Sequence, residues 1–175
     1  MKIKKAKIKN HLFLQYECRQ TVDGVTNDIN TSSDAPIHED LKNAFLNLVP
    51  HFAFLADEFP EKQMKKFING QLSEDDEVFR KFKVGSFIMG GNGDSEGVTI
   101  SGSKEVEMGV ISFSTPFIKY DGDYQFIVEL IGAMEILEKE VKGYIEGKRA
   151  PKAQTELNFD DFDENEFEHA EQEAV

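Results

Sequence analysis

Residues 2–22 read KIKKAKIKNHLFLQYECRQTV and run directly into Asp23-Gly24 before Val25. One parity of this run holds Ala6, Ile8, Leu12, Leu14, Tyr16 and Cys18, broken only by Asn10. The other holds Lys5, Lys7, Lys9, His11, Phe13, Gln15, Glu17 and Arg19. Successive side chains of a strand point to opposite faces, so the first set faces a core and the second does not. The alternation predicts one long strand over 2–22. Asp23-Gly24 suits a two-residue turn in which both positions take positive φ, which predicts a hairpin and a second strand over about 25–31.

Beyond this hairpin the period changes. Ile37, Leu41, Phe45, Leu48, Phe52, Leu55 and Phe59 recur at three- and four-residue spacing, as an amphipathic helix requires. Ser33 or Asp34 is placed to cap it, with Pro36 in its first turn. Pro50 has no amide hydrogen and kinks or restarts the helix, and Lys62–Ile68 adds one or two turns. Strand patterns return from Phe79 to Tyr120, over Phe79–Met89, Val98–Ser101 and Val110–Tyr120, with Gly90–Asp94, Gly102, Ser103 and Gly109 as breaks. Tyr124–Ile145 is the clearest helix, with an apolar stripe of Phe126, Leu130, Met134, Leu137, Val141 and Tyr144. Gly147 ends it and Pro151 prevents its resumption. The order implies an α+β fold, an antiparallel sheet of about five strands with two main helices on one face. Residues 1–147 form the single domain, and 148–175 a flexible linker and disordered acidic tail.

Of 33 acids in the chain, nine lie beyond Gln154, where there is no Lys or Arg. The net charge of −13 therefore leaves 24 acids against 20 bases, or −4, on the remainder. A basic N-terminal run and an acidic C-terminal one suit a protein that meets nucleic acid, although a solubilising tail on a neutral domain accounts for the same numbers. The single cysteine, Cys18, excludes an internal disulfide and a cysteine-based zinc site. His11, His38, His51 and His169 lack the spacing that places two ring nitrogens on one metal. Gly97–Lys104 approaches a phosphate-loop pattern, but its lysine does not follow the last glycine directly. No catalytic constellation, metal or cofactor is expected, and no segment has the length of a signal peptide or a membrane span. A cytoplasmic protein is expected.

Two strand faces share a composition suited to single-stranded DNA. Lys5, Lys7 and Lys9 with Phe13 form one; Lys81, Lys83 and Phe87 form the other. Lysines neutralise phosphates and aromatic rings stack on bases. The competing reading is plain: lysines alternate on any solvated strand face, and Phe13 or Phe87 packs beneath a loop.

The tail supplies a second signal. Gln154-Thr-Glu-Leu157-Asn-Phe159 has the pattern Gln-x-x-Leu-x-Phe and resembles the peptide by which bacterial replication and repair proteins dock onto the sliding clamp. Thr155 and Glu156 depart from it where an apolar residue is common. The following run, with Phe162 and Phe167 among acids, resembles the acidic tails of single-stranded-DNA-binding proteins, though it ends Glu-Ala-Val instead of on an aromatic residue. The resemblance covers about a tenth of the chain. It implies that Gln154, Leu157, Phe159 and Phe162 bind a partner, with the sliding clamp or other replication proteins as candidates. The combined expectation is a non-enzymatic accessory protein of DNA replication or recombination, of phage or mobile-element type, binding single-stranded DNA. A homo-oligomer fits equally. The alternative is an acidic inhibitor that mimics DNA toward a host DNA-binding factor, and a metal-dependent nuclease is a third reading.

Overall fold

A computed structural model describes residues 1–73 and 75–151; the tail calls at Gln154, Leu157, Phe159 and Phe162 lie outside them. The chain is α+β. In order it forms β1 (Lys2–Lys9), β2 (Phe13–Val22), β3 (Val25–Pro36), α1 (Glu39–Leu46), α2 (Val49–Leu55), α3 (Glu61–Ile68), α4 (Glu77–Lys81), β4 (Phe82–Gly90), β5 (Gly97–Val106), β6 (Gly109–Ser114), β7 (Ile118–Lys119) and α5 (Ile127–Ile145). The sheet is antiparallel with order β3-β2-β1-β4-β5-β6, and β7 extends β5's outer edge beyond β6. It is one strand larger than the expected five, or two counting β7. The helical layer has five members instead of two.

The topology repeats. Three strands and four helices (β1–β3, α1–α4) are followed by three long strands, the short β7 and a helix (β4–β7, α5), and the two halves join where β1 lies against β4.

The expected long strand over 2–22 is in fact a hairpin. Asn10 and His11 take φ of 51° and 60°, a left-handed pair that turns the chain between β1 and β2. Neither residue is glycine, so alternation alone gave no warning of the turn. Asp23-Gly24 forms the expected second turn, at φ 50° and 79°. Pro36 closes β3 instead of opening α1, because the residue before a proline is held extended. The cap is His38, whose Nδ1 accepts the Asp40 N–H at 3.2 Å. The expected kinked helix is two helices, with Pro50 in the first turn of α2.

One sheet face is covered by helices. Ile3, Ala6, Leu14, Cys18, Phe82, Val84, Phe87, Val98 and Ile100 are buried beneath them. Phe52 of α2 stacks on Phe113 of β6 (centroids 4.4 Å, 17°) and meets Phe82 edge-on. This packing depends on Gly102. A Cβ there would lie 2.2 Å from the Lys83 carbonyl oxygen and 3.0 Å from the Phe52 ring, so β5 runs through Gly102 as a strand where sequence suggested a break. The six stripe residues of the last helix are all buried, and Tyr144 Oη donates to the Ala35 carbonyl at 2.5 Å.

One buried group carries a pH signature. His51 of α2 is fully buried, its Nδ1 lies 2.9 Å from Tyr124 Oη, and its Nε2 has no partner among the described residues. Burial disfavours the imidazolium and pulls its pKa from 6.5 to about 4. Because the folded value lies below the unfolded one, the unfolded state binds the extra proton, and stability falls as pH drops from about 6.5 to about 4. The drop corresponds to about 3 kcal/mol at roughly 1.4 kcal/mol per pH unit. Urea titrations at pH 7 and pH 4.5 should show this loss. His51→Gln, which retains a partner for Tyr124, should show a shallower one; equal losses would remove His51 as the cause.

Candidate nucleic-acid interface

The sheet's other face is open. On β1 it presents Lys5, Lys7 and Lys9, the parity expected from sequence, and on β4 it presents Lys83, Ser86 and Ile88. The β4 assignment differs from expectation because a β-bulge between Val84 and Ser86 inserts Gly85 without a partner on β5. One extra residue exchanges the faces of everything after it. Phe87, expected as a stacking residue on the open face, is therefore buried at 0% exposure, 6.1 Å from the Phe45 ring. Ile88, expected inside, is exposed.

Phe13 does lie on the open side. It is half-buried, opposite Lys9 on β1 and Pro36 on β3. Lys81 is not a strand residue: it ends α4, and its ammonium lies 3.4 Å from Glu58, which Lys104 also contacts. It nonetheless borders a hollow of about 200 Å³ together with His11, Lys83, Ser103, Glu105 and Val110. The structure thus brings Lys7, Lys81 and Lys83 to adjoining hollows, turns the Lys9 ammonium toward β3 and withdraws Phe87 into the core.

Both signs of charge occur on the open face. Lys5 is 4.0 Å from Glu17, and Lys9 donates to Ser32 Oγ at 3.1 Å. Farther out, Arg19 holds Asp28 through two hydrogen bonds (2.8 and 2.9 Å), and Lys4 adds a third contact at 2.9 Å. These cations hold the Asp28 carboxyl well below the usual carboxylate range. Among the described residues Lys7 and Lys83 enter no ion pair, and both are exposed. On the helical side α5 carries Glu129, Glu135, Glu138 and Glu140 together with Lys139 and Lys142.

Hydroxyls make up much of the remaining face. Register places Ser86 beside Ser101 and Ser101 beside Ser114, with Ser103 beside Ser112, and the Ser101 and Ser114 oxygens are 2.7 Å apart. These serines are not among the residues expected from sequence. Their i, i+2 spacing at 101/103 and 112/114 is the available signal, and Gly102, which reads locally as a break, hides it.

A cleft opens in the middle of this face. β1 and β4 pair at only three positions, Lys5–Ile88, Ala6–Phe87 and Lys7–Ser86, and then diverge. A hollow of about 480 Å³ here is lined by Lys7, Asn10 and His11 from β1 and its turn, by Lys83, Gly85 and Ser86 from β4, and by Ser101, Ser103 and Ser112 from β5 and β6. Among the described residues no acid lines it, although Glu105 borders the adjoining hollow with His11 and Lys83.

No protein family, characterised protein or solved structure matches this chain. Among the described residues no helix is long and apolar enough to cross a membrane, and no group of three His, Cys, Asp or Glu converges as metal ligands would.

The two faces predict opposite responses to substitution. Phe87→Ala should cost about 3–5 kcal/mol, as removal of a buried aromatic does. Lys7→Ala and Lys83→Ala should each stay within about 0.5 kcal/mol of the parent. Urea denaturation measures all three, and a mild Phe87→Ala would contradict the register.

Proposed function

We propose that the protein is a non-enzymatic accessory factor of DNA replication or recombination that binds single-stranded DNA across the open face of its sheet. The observation that carries this reading is a cluster of cations: in a chain of net charge −13, Lys7 and Lys83 enter no ion pair among the described residues and stand, with Lys9, on a hydroxyl-rich face free of helices. Lysines there neutralise phosphates, and serine hydroxyls donate to phosphate and sugar oxygens without reading sequence. Lys5 and Lys81, which have acidic neighbours, supply weaker contacts at the margins. Phe13 is the base-stacking residue of this reading and Phe87 has no part in it. Affinity then rests on backbone electrostatics more than on stacking.

The tail completes the proposal. Gln154, Leu157 and Phe159 dock on a sliding clamp, with Phe162 beside them, and the acids that follow compete with DNA for the lysines through charge attraction that salt weakens. The whole-chain charge favours a second reading, an acidic DNA mimic that inhibits a host DNA-binding factor. It predicts no affinity for DNA.

Fluorescence anisotropy with labelled oligo-dT separates the two. Three neutralised phosphates give a slope of about −2 in log K against log salt, from about −0.7 per phosphate. Truncation after Pro151 retains the Arg149–Tyr144 stacking and the Ala150 N–H to Pro36 hydrogen bond, and should raise affinity. Lys7→Ala with Lys83→Ala should weaken binding and flatten the slope. An absence of binding by either chain at low salt ends the DNA-binding reading. For the clamp, Leu157→Ala with Phe159→Ala should abolish retention on an immobilised bacterial clamp; unchanged retention makes the hexapeptide a coincidence.

A further inference from the structure

The cleft between β1 and β4 differs in kind from the flat face around it. The β1–β4 ladder ends at the Lys7–Ser86 pair, and beyond it the last residues of β1 with the following turn stand apart from the first residues of β4. Two lysines that enter no ion pair among the described residues and an imidazole line the one hollow, which continues over Ser101, Ser103 and Ser112. Asn10 and His11, on its rim, are held at positive φ, a conformation that non-glycine residues rarely adopt and that recurs at ligand sites.

We infer that this cleft is a binding site for a phosphate monoester. A bridging phosphodiester carries one negative charge, whereas a monoester carries up to two and offers three oxygens to several donors at once. Lys7 and Lys83 supply charge, while Ser86, Ser101, Asn10 and His11 supply hydrogen-bonding partners. Charge-assisted hydrogen bonds are the stronger class, so a dianion gains most where two ammonium groups line one hollow. The volume, about 480 Å³, falls within the range of small-ligand sites and accommodates a nucleotide. The ligand is either a free mononucleotide or the phosphorylated end of a strand lying on the open face. The second source rests on the DNA-binding reading; the first does not.

The test uses full-length protein. Isothermal titration with dTMP and with thymidine reads the monoester alone. Anisotropy with oligo-dT bearing a 5′-phosphate, a 3′-phosphate or hydroxyls at both ends reads the strand end. Saturable dTMP binding with none for thymidine is expected, together with an affinity gain of about tenfold or more for one phosphorylated end. Lys7→Ala with Lys83→Ala should remove both effects. Gly85→Leu gives a charge-neutral control, since a Cβ at Gly85 meets no atom within 4 Å and a larger side chain there fills the cleft without displacing the fold. It should remove the preference for the phosphorylated end while oligo-dT with hydroxyl ends still binds. Equal affinity for all three oligonucleotides with no dTMP binding overturns the cleft and leaves the sheet-face reading standing. Saturable dTMP binding with no oligonucleotide binding does the reverse.

Discussion

Three residue pairs join the two halves of the sheet. Lys5–Ile88, Ala6–Phe87 and Lys7–Ser86 are the whole of the β1–β4 ladder, whereas β2 and β3 pair over most of their length. So short a ladder holds few backbone hydrogen bonds, each contributing about 1 kcal/mol net. The junction therefore depends on the helical layer that spans it. Phe45 of α1 lies against Phe87 of β4, while α1 also packs on α5, the helix of the second half. Phe52 of α2 reaches Phe82 on β4 and Phe113 on β6. The halves are clasped from the helical side and left parted on the open side, so one constraint accounts both for the stability of the joint and for the cleft.

Single inserted residues decide which chemistry reaches the open face. Lys4 on β1 and Gly85 on β4 each stand without a partner in their ladders. The bulge at Lys4 lets Ile3 and Ala6, three residues apart, both point inward. The bulge at Gly85 does the same for Val84 and Phe87. Without it, Phe87 would lie on the solvent face and the core would lose a ring. These bulges lie close to the central junction, where strands that twist strongly need an extra residue to stay in contact.

Much of the architecture was legible in residue spacing. The lysine parity of β1, the Asp23-Gly24 turn and the apolar stripe of α5 all follow from side-chain periodicity, which the backbone imposes without help from distant contacts. What stayed hidden depended on tertiary context. The Asn10-His11 turn uses two residues that adopt positive φ less readily than glycine, and a strand-like alternation ran through it undisturbed. Gly85 is a bulge and Gly102 an in-register strand residue, yet nothing local distinguishes them. The difference lies in what approaches from outside: open space at Gly85, the Lys83 carbonyl and the Phe52 ring at Gly102.

The same glycine explains why the interface was only half visible. Alternation picks out five lysines, of which Lys5, Lys7, Lys9 and Lys83 lie on the sheet, but not the serines beside them, because Gly102 reads locally as a break that parts Ser101 from Ser103. Once β5 is continuous, Ser101 and Ser103 fall into line with Ser86, Ser112 and Ser114 across three strands. Small hydroxyl side chains keep the sheet surface low beside the lysines, and under the proposed function an extended polyanion would meet charge first and short neutral donors beneath it. The absence of a large ring from this region follows from the bulge that sends Phe87 inward. Packing demand in the core and chemistry on the surface are thus set by the same one-residue insertion.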